Sequence, residues 1–208
     1  SSDVCSSDLG EGEQKMRVRL DYGKKGLEVE LPDSNLKAVL GLQEAKRLKE
    51  PEKEVQKALR YPIGSAPLSD LARGRRNACI VLCDITRPVP NKLLLPPLLE
   101  TLHKAGIPAE RVTLLIATGT HRPNWGEELE ALVGQEIATR YTVVNHDSKD
   151  DTQHRFLGHS PNGIPVWLDR AYTDADLKIT VGLIEPHFMA GFSGGRKLVM
   201  PGVAHFST

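Results

Sequence analysis

Four short strand-like runs, at 78–84, 112–118, 142–146 and 177–184, govern what this chain can become. Each has the length of a strand rather than of an ordinary helix. The first, Ala-Cys-Ile-Val-Leu-Cys-Asp, is apolar without alternation, the pattern of a strand covered on both faces. Helix-forming stretches separate the runs. One spans 91–105, with apolar Leu93, Leu94, Leu98 and Leu102, and ends near Gly106; another spans 125–133. Strands alternating with helices specify an α/β fold with a mainly parallel sheet and flanking helices.

Outside these units the signals are simpler. Val18 and Leu20, then Gly23-Lys-Lys-Gly26, then Leu27, Val29 and Leu31 predict an N-terminal β-hairpin with a glycine-bounded turn. Residues 35–59 are charged and helix-prone, with Pro51 opening a second helix in its first turn. A short helix is expected over 68–75. Residues 156–168, split by Pro161-Asn-Gly163, predict another hairpin. Residues 1–10 are polar, nearly repeat Ser-Ser-Asp, and have no period. They are expected to be disordered or foreign to the protein, and Cys5 goes with them. The remainder, 11–208, is expected to form the folded domain.

The totals exclude several functions. The 27 basic and 27 acidic residues cancel, and no basic block stands out, which argues against a general nucleic-acid binder. No apolar run reaches the ~20 residues of a membrane span. Cys79 and Cys83 lie on one predicted strand, their Cα atoms roughly 13 Å apart at ~3.3 Å per residue, too far for a disulfide. They are expected to be core thiols, with a reducing cytoplasm as their setting.

Three loops carry the chemistry, each after an apolar run: Asp84-Ile-Thr86-Arg87-Pro, Thr118-Gly-Thr-His121-Arg-Pro, and Glu185-Pro-His187-Phe. If the strands are parallel, all three open at the carboxyl edge of the sheet, where α/β folds bind ligands. The last loop runs on through Ser193-Gly194-Gly195 to Arg196 and Lys197. Glycines accept positive φ, so this turn can offer backbone N–H groups to an anion, with two cations following. The spacing is not that of a Walker A loop. Each residue also has a structural reading: Asp84 can brace its loop, Arg87 can pair with Asp84, and loop histidines are often merely solvated. His146 ends another strand and is a weaker pocket candidate. His103 reads as a helix-face residue, and His154 and His159 as surface residues. No histidine spacing matches a zinc signature. Arginine is the usual fork for a carboxylate, and histidine the natural acid/base near neutrality. Two opposed bases suit racemisation, but isomerases, lyases and dehydrogenases can use the same parts.

The motifs Asp-x-Thr-Arg-Pro-x-Pro (84–90), Ala-Thr-Gly-x-His-Arg-Pro (117–123) and Glu-x-His-Phe-x-Ala-Gly-Phe-Ser-Gly-Gly-Arg-Lys (185–197), in this order, resemble the nickel-dependent lactate racemase family. The resemblance runs from about the first hairpin to the C-terminus. It implies a nickel pincer nucleotide, a pyridinium mononucleotide whose two sulfur arms hold nickel, joined to Lys197 through a thioamide. It implies His121 and His187 as alternating acid and base on the hydroxyl of a 2-hydroxy acid, with reversible hydride transfer to the cofactor. Asp84, Thr86, Gly194, Gly195 and Arg196 are then expected at the cofactor, and Arg87 at the substrate. Cofactor-biosynthesis proteins become expected partners. The family's nickel-ligand histidine is expected beyond Thr208, so no metal ligand is assigned within this chain, and His205 lies too early for the role. The resemblance thus implies the first domain, cut short, of a two-domain racemase, inactive by itself. A relative acting on another 2-hydroxy acid, and a non-catalytic nucleotide- or anion-binding module, are the alternatives.

Overall fold

The computed structural model describes residues 14–41, 45–187 and 189–208. Residues 1–10, with Cys5, lie outside the described residues. The chain divides into two units, 1–47 and 48–208. In the first, β1 (Lys15–Leu20) and β2 (Leu27–Pro32) pair antiparallel, Val18 opposite Val29. Gly23 and Gly26, at φ 57° and 73°, make the turn, as the glycine spacing predicts. No helix covers the described residues 36–41 or 45–48, contrary to the helix expected before Pro51. Val39 and Leu40 there are 61% and 92% exposed, so a helix would have no apolar face to bury, and propensity alone sustains few helices in water.

In the second unit, helices α1 (Pro51–Arg60) and α2 (Leu68–Ala72) precede the sheet. Strands β3 (Ala78–Cys83), β4 (Val112–Ala117) and β5 (Thr142–Asn145) follow, separated by α3 (Asn91–Lys104), then α4 (Glu127–Val133) and α5 (Gln135–Arg140). The chain then makes the hairpin β6 (His154–His159) and β7 (Pro165–Asp169), the turn of helix α6 (Arg170–Thr173), and β8 (Leu177–Val181). Two short strands, β9 (Pro186–His187) and β10 (Gly191–Phe192), pair before a 3-10 turn at Gly195–Leu198.

The sheet order is β5-β4-β3-β8, every pair parallel. All six residues of β3 are buried, as its unbroken apolar run requires. Its side chains alternate between two cores. Ile80 and Leu82 join Leu95, Leu99 and Leu102 of α3 on one face. Cys79, Val81 and Cys83 join Leu198 and Val203 on the other, with Ala171 and Tyr172 of α6 packed alongside. Burial of the Cys79 thiol pushes its pKa up to about 12, so it behaves as a small core side chain. Both cysteines are free.

The strand order creates the site. From β3 the chain moves outward through β4 to β5, then returns to the other side of β3 as β8. Connections on the two sides of β3 therefore leave for opposite faces. Such a reversal opens a crevice at the carboxyl ends of the strands. The loops after β3, β4 and β8 border it.

Candidate active site

Asp84 is the residue next after β3, and its side chain is 6% exposed. Its Oδ1 accepts from Thr86 Oγ1 at 2.5 Å and from the Thr86 backbone N–H at 3.1 Å. Its Oδ2 lies 2.5 Å from His121 Nδ1. A carboxylate accepting at Nδ1 fixes the neutral imidazole as the Nδ1–H tautomer, which leaves the Nε2 lone pair free to take a proton. The His121 side chain is 57% exposed, so that nitrogen is accessible. Asn124, 1% exposed, braces the two loops: its Oδ1 accepts from Ile85 N at 3.1 Å, and its own N–H donates to Asn145 Oδ1 at 2.8 Å.

The third loop is folded by Ser193. Its hydroxyl donates to the Leu183 carbonyl at 2.5 Å and accepts from Glu185 N at 3.1 Å, while its N–H donates to the Glu185 carbonyl at 2.9 Å. Gly194 follows at φ 66°, and a Cβ there would stand 2.7 Å from the Leu183 carbonyl oxygen. Only glycine lets the turn press this close to the end of β8. Leu198, 4% exposed, anchors the turn in the second core. Lys197 between them is half-buried.

A cavity of about 100 Å³ opens among these loops, lined by Asp84, Thr86, Arg87, His121, Gly194 and Lys197 among others. It thus gathers six of the residues expected at cofactor, substrate or proton transfer. Gly195 and Arg196 are exposed and do not line it. His187 does not line it either. It sits on β9, half-buried, with its Nδ1 accepting the backbone N–H groups of Met189 and Ala190, both at 3.2 Å. Arg87 pairs with Glu185, Nε to Oε1 at 3.4 Å, rather than with Asp84. Cys83 also lines the cavity, and burial pushes its thiol pKa up, which disfavours a thiolate nucleophile.

Asn124 and Glu185 have no role in the sequence reading, and Ser193 enters it only through the backbone of its turn. All three lie inside or beside the motifs, but their partners are fixed by loop packing that spacing does not reveal. His154 is not a surface residue: it is 1% exposed, covered by the rings of His146 and His205 at 5.0 and 4.9 Å. His159 is exposed, and His103 faces Tyr141 from α3. Among the described residues no three His, Cys, Asp or Glu side chains cluster as a metal site.

Residues 22–208 match the model of the lactate racemase N-terminal domain. The chain belongs to that family. It is 41% identical over 194 residues to a lactate racemase of Lactiplantibacillus plantarum, covering 92% of this chain and 45% of the relative. A second lactate racemase, from Thermoanaerobacterium thermosaccharolyticum, is 38% identical over 189 residues, covering 90% of this chain and 44% of the relative. The lactate racemase apoprotein structure from that organism superimposes with a TM-score of 0.78 over 91% of this chain and 44% of its own. A crystal structure of a Thermotoga maritima protein, 27% identical, gives 0.61 over 74% of this chain and 38% of its own. The chain therefore spans about half the length of the curated relatives it matches. No helix among the described residues is long and apolar enough to cross a membrane.

Proposed function

We propose that the protein carrying this chain racemises lactate or a similar 2-hydroxy acid, with this unit supplying the cofactor tether and the proton-transfer groups. The observation that carries the reading is that the Asp84–His121 pair and Lys197 line one cavity, in a chain of the lactate racemase family.

The residues present fit an anionic mononucleotide. Lys197 supplies a cation and a nucleophilic amine inside the cavity, and the Gly194 turn leaves no room for a side chain beside it. Residues that open a 3-10 turn offer N–H groups lacking an acceptor within the turn, so Gly195 and Arg196 suit a phosphate at the rim. Asp84 and Thr86 hold the facing loop. When bound through Lys197, the nickel pincer nucleotide supplies an acceptor for the hydride at the substrate C2.

This chain's residues then manage the hydroxyl proton and the carboxylate. His121, oriented by Asp84, takes the hydroxyl proton at Nε2. His187 accepts two backbone N–H groups at Nδ1, so its neutral ring carries its proton on Nε2 and serves as the donor. Exchange of these roles serves the opposite enantiomer. Arg87, held from behind by Glu185, presents its guanidinium to the substrate carboxylate. Cofactor-biosynthesis proteins are the proposed partners, and the cytoplasm the proposed compartment.

The test is the mass of the full-length protein made together with the cofactor-producing proteins, followed by peptide mapping. An adduct on the Lys197 peptide, absent in Lys197→Ala, is expected. A folded protein that stays unmodified under confirmed cofactor supply would move the reading to a non-catalytic anion-binding module.

A further inference from the structure

Behind the active site lies a second histidine–aspartate pair that the proposed reaction does not use. His146 follows β5 and Asp169 ends β7, with side chains 0% and 3% exposed. His146 Nδ1 stands 3.0 Å from Asp169 Oδ2, and Nε2 stands 3.1 Å from the Ala204 carbonyl oxygen. Both neighbours are acceptors. Beside an ionised Asp169, a neutral imidazole has one N–H, so one nitrogen lone pair would face an oxygen lone pair in a buried setting. Two N–H donors satisfy both contacts, and only the imidazolium has two. Asp169 supplies the countercharge. Its other oxygen accepts the Ala171 backbone N–H at 2.8 Å, capping α6.

The contacts of this residue reach both walls of the cavity. Ala204 closes the segment whose Pro201 and Gly202 line it. The Gly202 carbonyl accepts from Gly119 N at 3.0 Å, in the His121 loop. On the other side, the His146 carbonyl accepts from Thr118 Oγ1 at 2.5 Å. The Thr118 carbonyl accepts the His121 N–H at 2.8 Å. One buried residue thus holds the backbone that carries the proton-transfer histidine and the segment packed against it.

We infer that His146 is a buried imidazolium, paired with Asp169, that acts as a positioning residue for His121. The kinetic part of this inference rests on the racemase reading; the charge state does not. Two measurements separate them. The first is long-range ¹H–¹⁵N correlation on ¹⁵N-histidine-labelled full-length protein, with the His146 signals assigned by their loss in His146→Gln or their shift in Asp169→Asn. Both ring nitrogens of the wild type are expected at protonated shifts, and Asp169→Asn is expected to convert the ring to a neutral tautomer. One unprotonated ring nitrogen in the wild type would overturn the inference.

The second is steady-state racemisation by the loaded full-length enzyme. A misplaced catalytic group costs up to about a hundredfold, so Asp169→Asn and His146→Gln should lower kcat by roughly tenfold to a hundredfold. KM and loading of Lys197 should stay near wild type. Folded, loaded variants with wild-type kcat would overturn the positioning role. A loaded wild type that racemises no 2-hydroxy acid would sink the racemase reading instead, and the nitrogen shifts would still decide the charge state.

Discussion

Two histidine–aspartate pairs lie at the same edge of this fold, and they are put together alike. In each, Nδ1 faces an aspartate Oδ2, at 2.5 Å for His121–Asp84 and 3.0 Å for His146–Asp169. They differ in what meets the other ring nitrogen. Nε2 of His146 is closed off by the Ala204 carbonyl, whereas the His121 side chain is 57% exposed and lines the crevice. The first arrangement holds a proton in place, and the second can exchange one. A carboxylate behind a histidine therefore does not make it an acid/base; an open Nε2 does.

That contrast can be broken from either side. The largest effect is expected at the open pair. His121→Asn keeps a polar side chain on an exposed loop but removes the proton acceptor, so kcat should fall by about 10²–10⁴. Urea unfolding of the same variant should shift little. The closed pair should respond in the opposite sense. Asp169→Ala leaves the buried His146 ring and the Ala171 N–H without their acceptor, a loss of about 1–3 kcal/mol of stability. Denaturant titration should show that loss as a lower midpoint at unchanged slope.

An effect of similar size is expected at the turn that carries Lys197. Gly194→Ala places a Cβ 2.7 Å from the Leu183 carbonyl at φ 66°, so the turn must shift, at roughly 1–3 kcal/mol. Reduced covalent loading at Lys197, read by peptide mass, is the expected sign. The smallest effect lies far from the site. The Arg76 guanidinium, bonded to Asp176 through Nε at 2.8 Å, holds that carboxyl down at about 2. A depressed carboxyl stabilises the fold above its unfolded pKa, and the contribution fades as pH falls through the folded value. Arg76→Ala should therefore lower stability slightly at neutral pH, and the difference from wild type should vanish near pH 2. Arg76 is exposed, so the effect stays small.

The open pair was largely legible in the sequence and the closed one was not. Asp84 and His121 each follow an unbroken apolar strand. Parallel pairing alone brings such residues to one edge, so position along the chain nearly fixes position in space. The Ser193–Gly195 turn was legible for a similar reason, because the conformation it needs belongs to glycine. His146 also ends a strand, but its partners come from β7 and from 199–204, whose placement depends on how the return to β8 packs. His154 read as a surface residue because a hairpin histidine has no apolar period to betray its burial. Arg87 turned to Glu185 rather than Asp84 because Thr86 and His121 already occupy both Asp84 oxygens. The helix expected before Pro51 failed because propensity was its only support.

The most direct test of the central claim is isotopic. The loaded full-length enzyme is given one enantiomer of lactate in D₂O, and the product is separated by chiral chromatography and weighed by mass spectrometry. If His121 and His187 work on the hydroxyl while hydrogen leaves and returns to C2 as hydride, the opposite enantiomer forms with its original hydrogen on C2. Inversion with solvent deuterium at C2 would mean that a base removes the C2 proton directly, and would contradict the account.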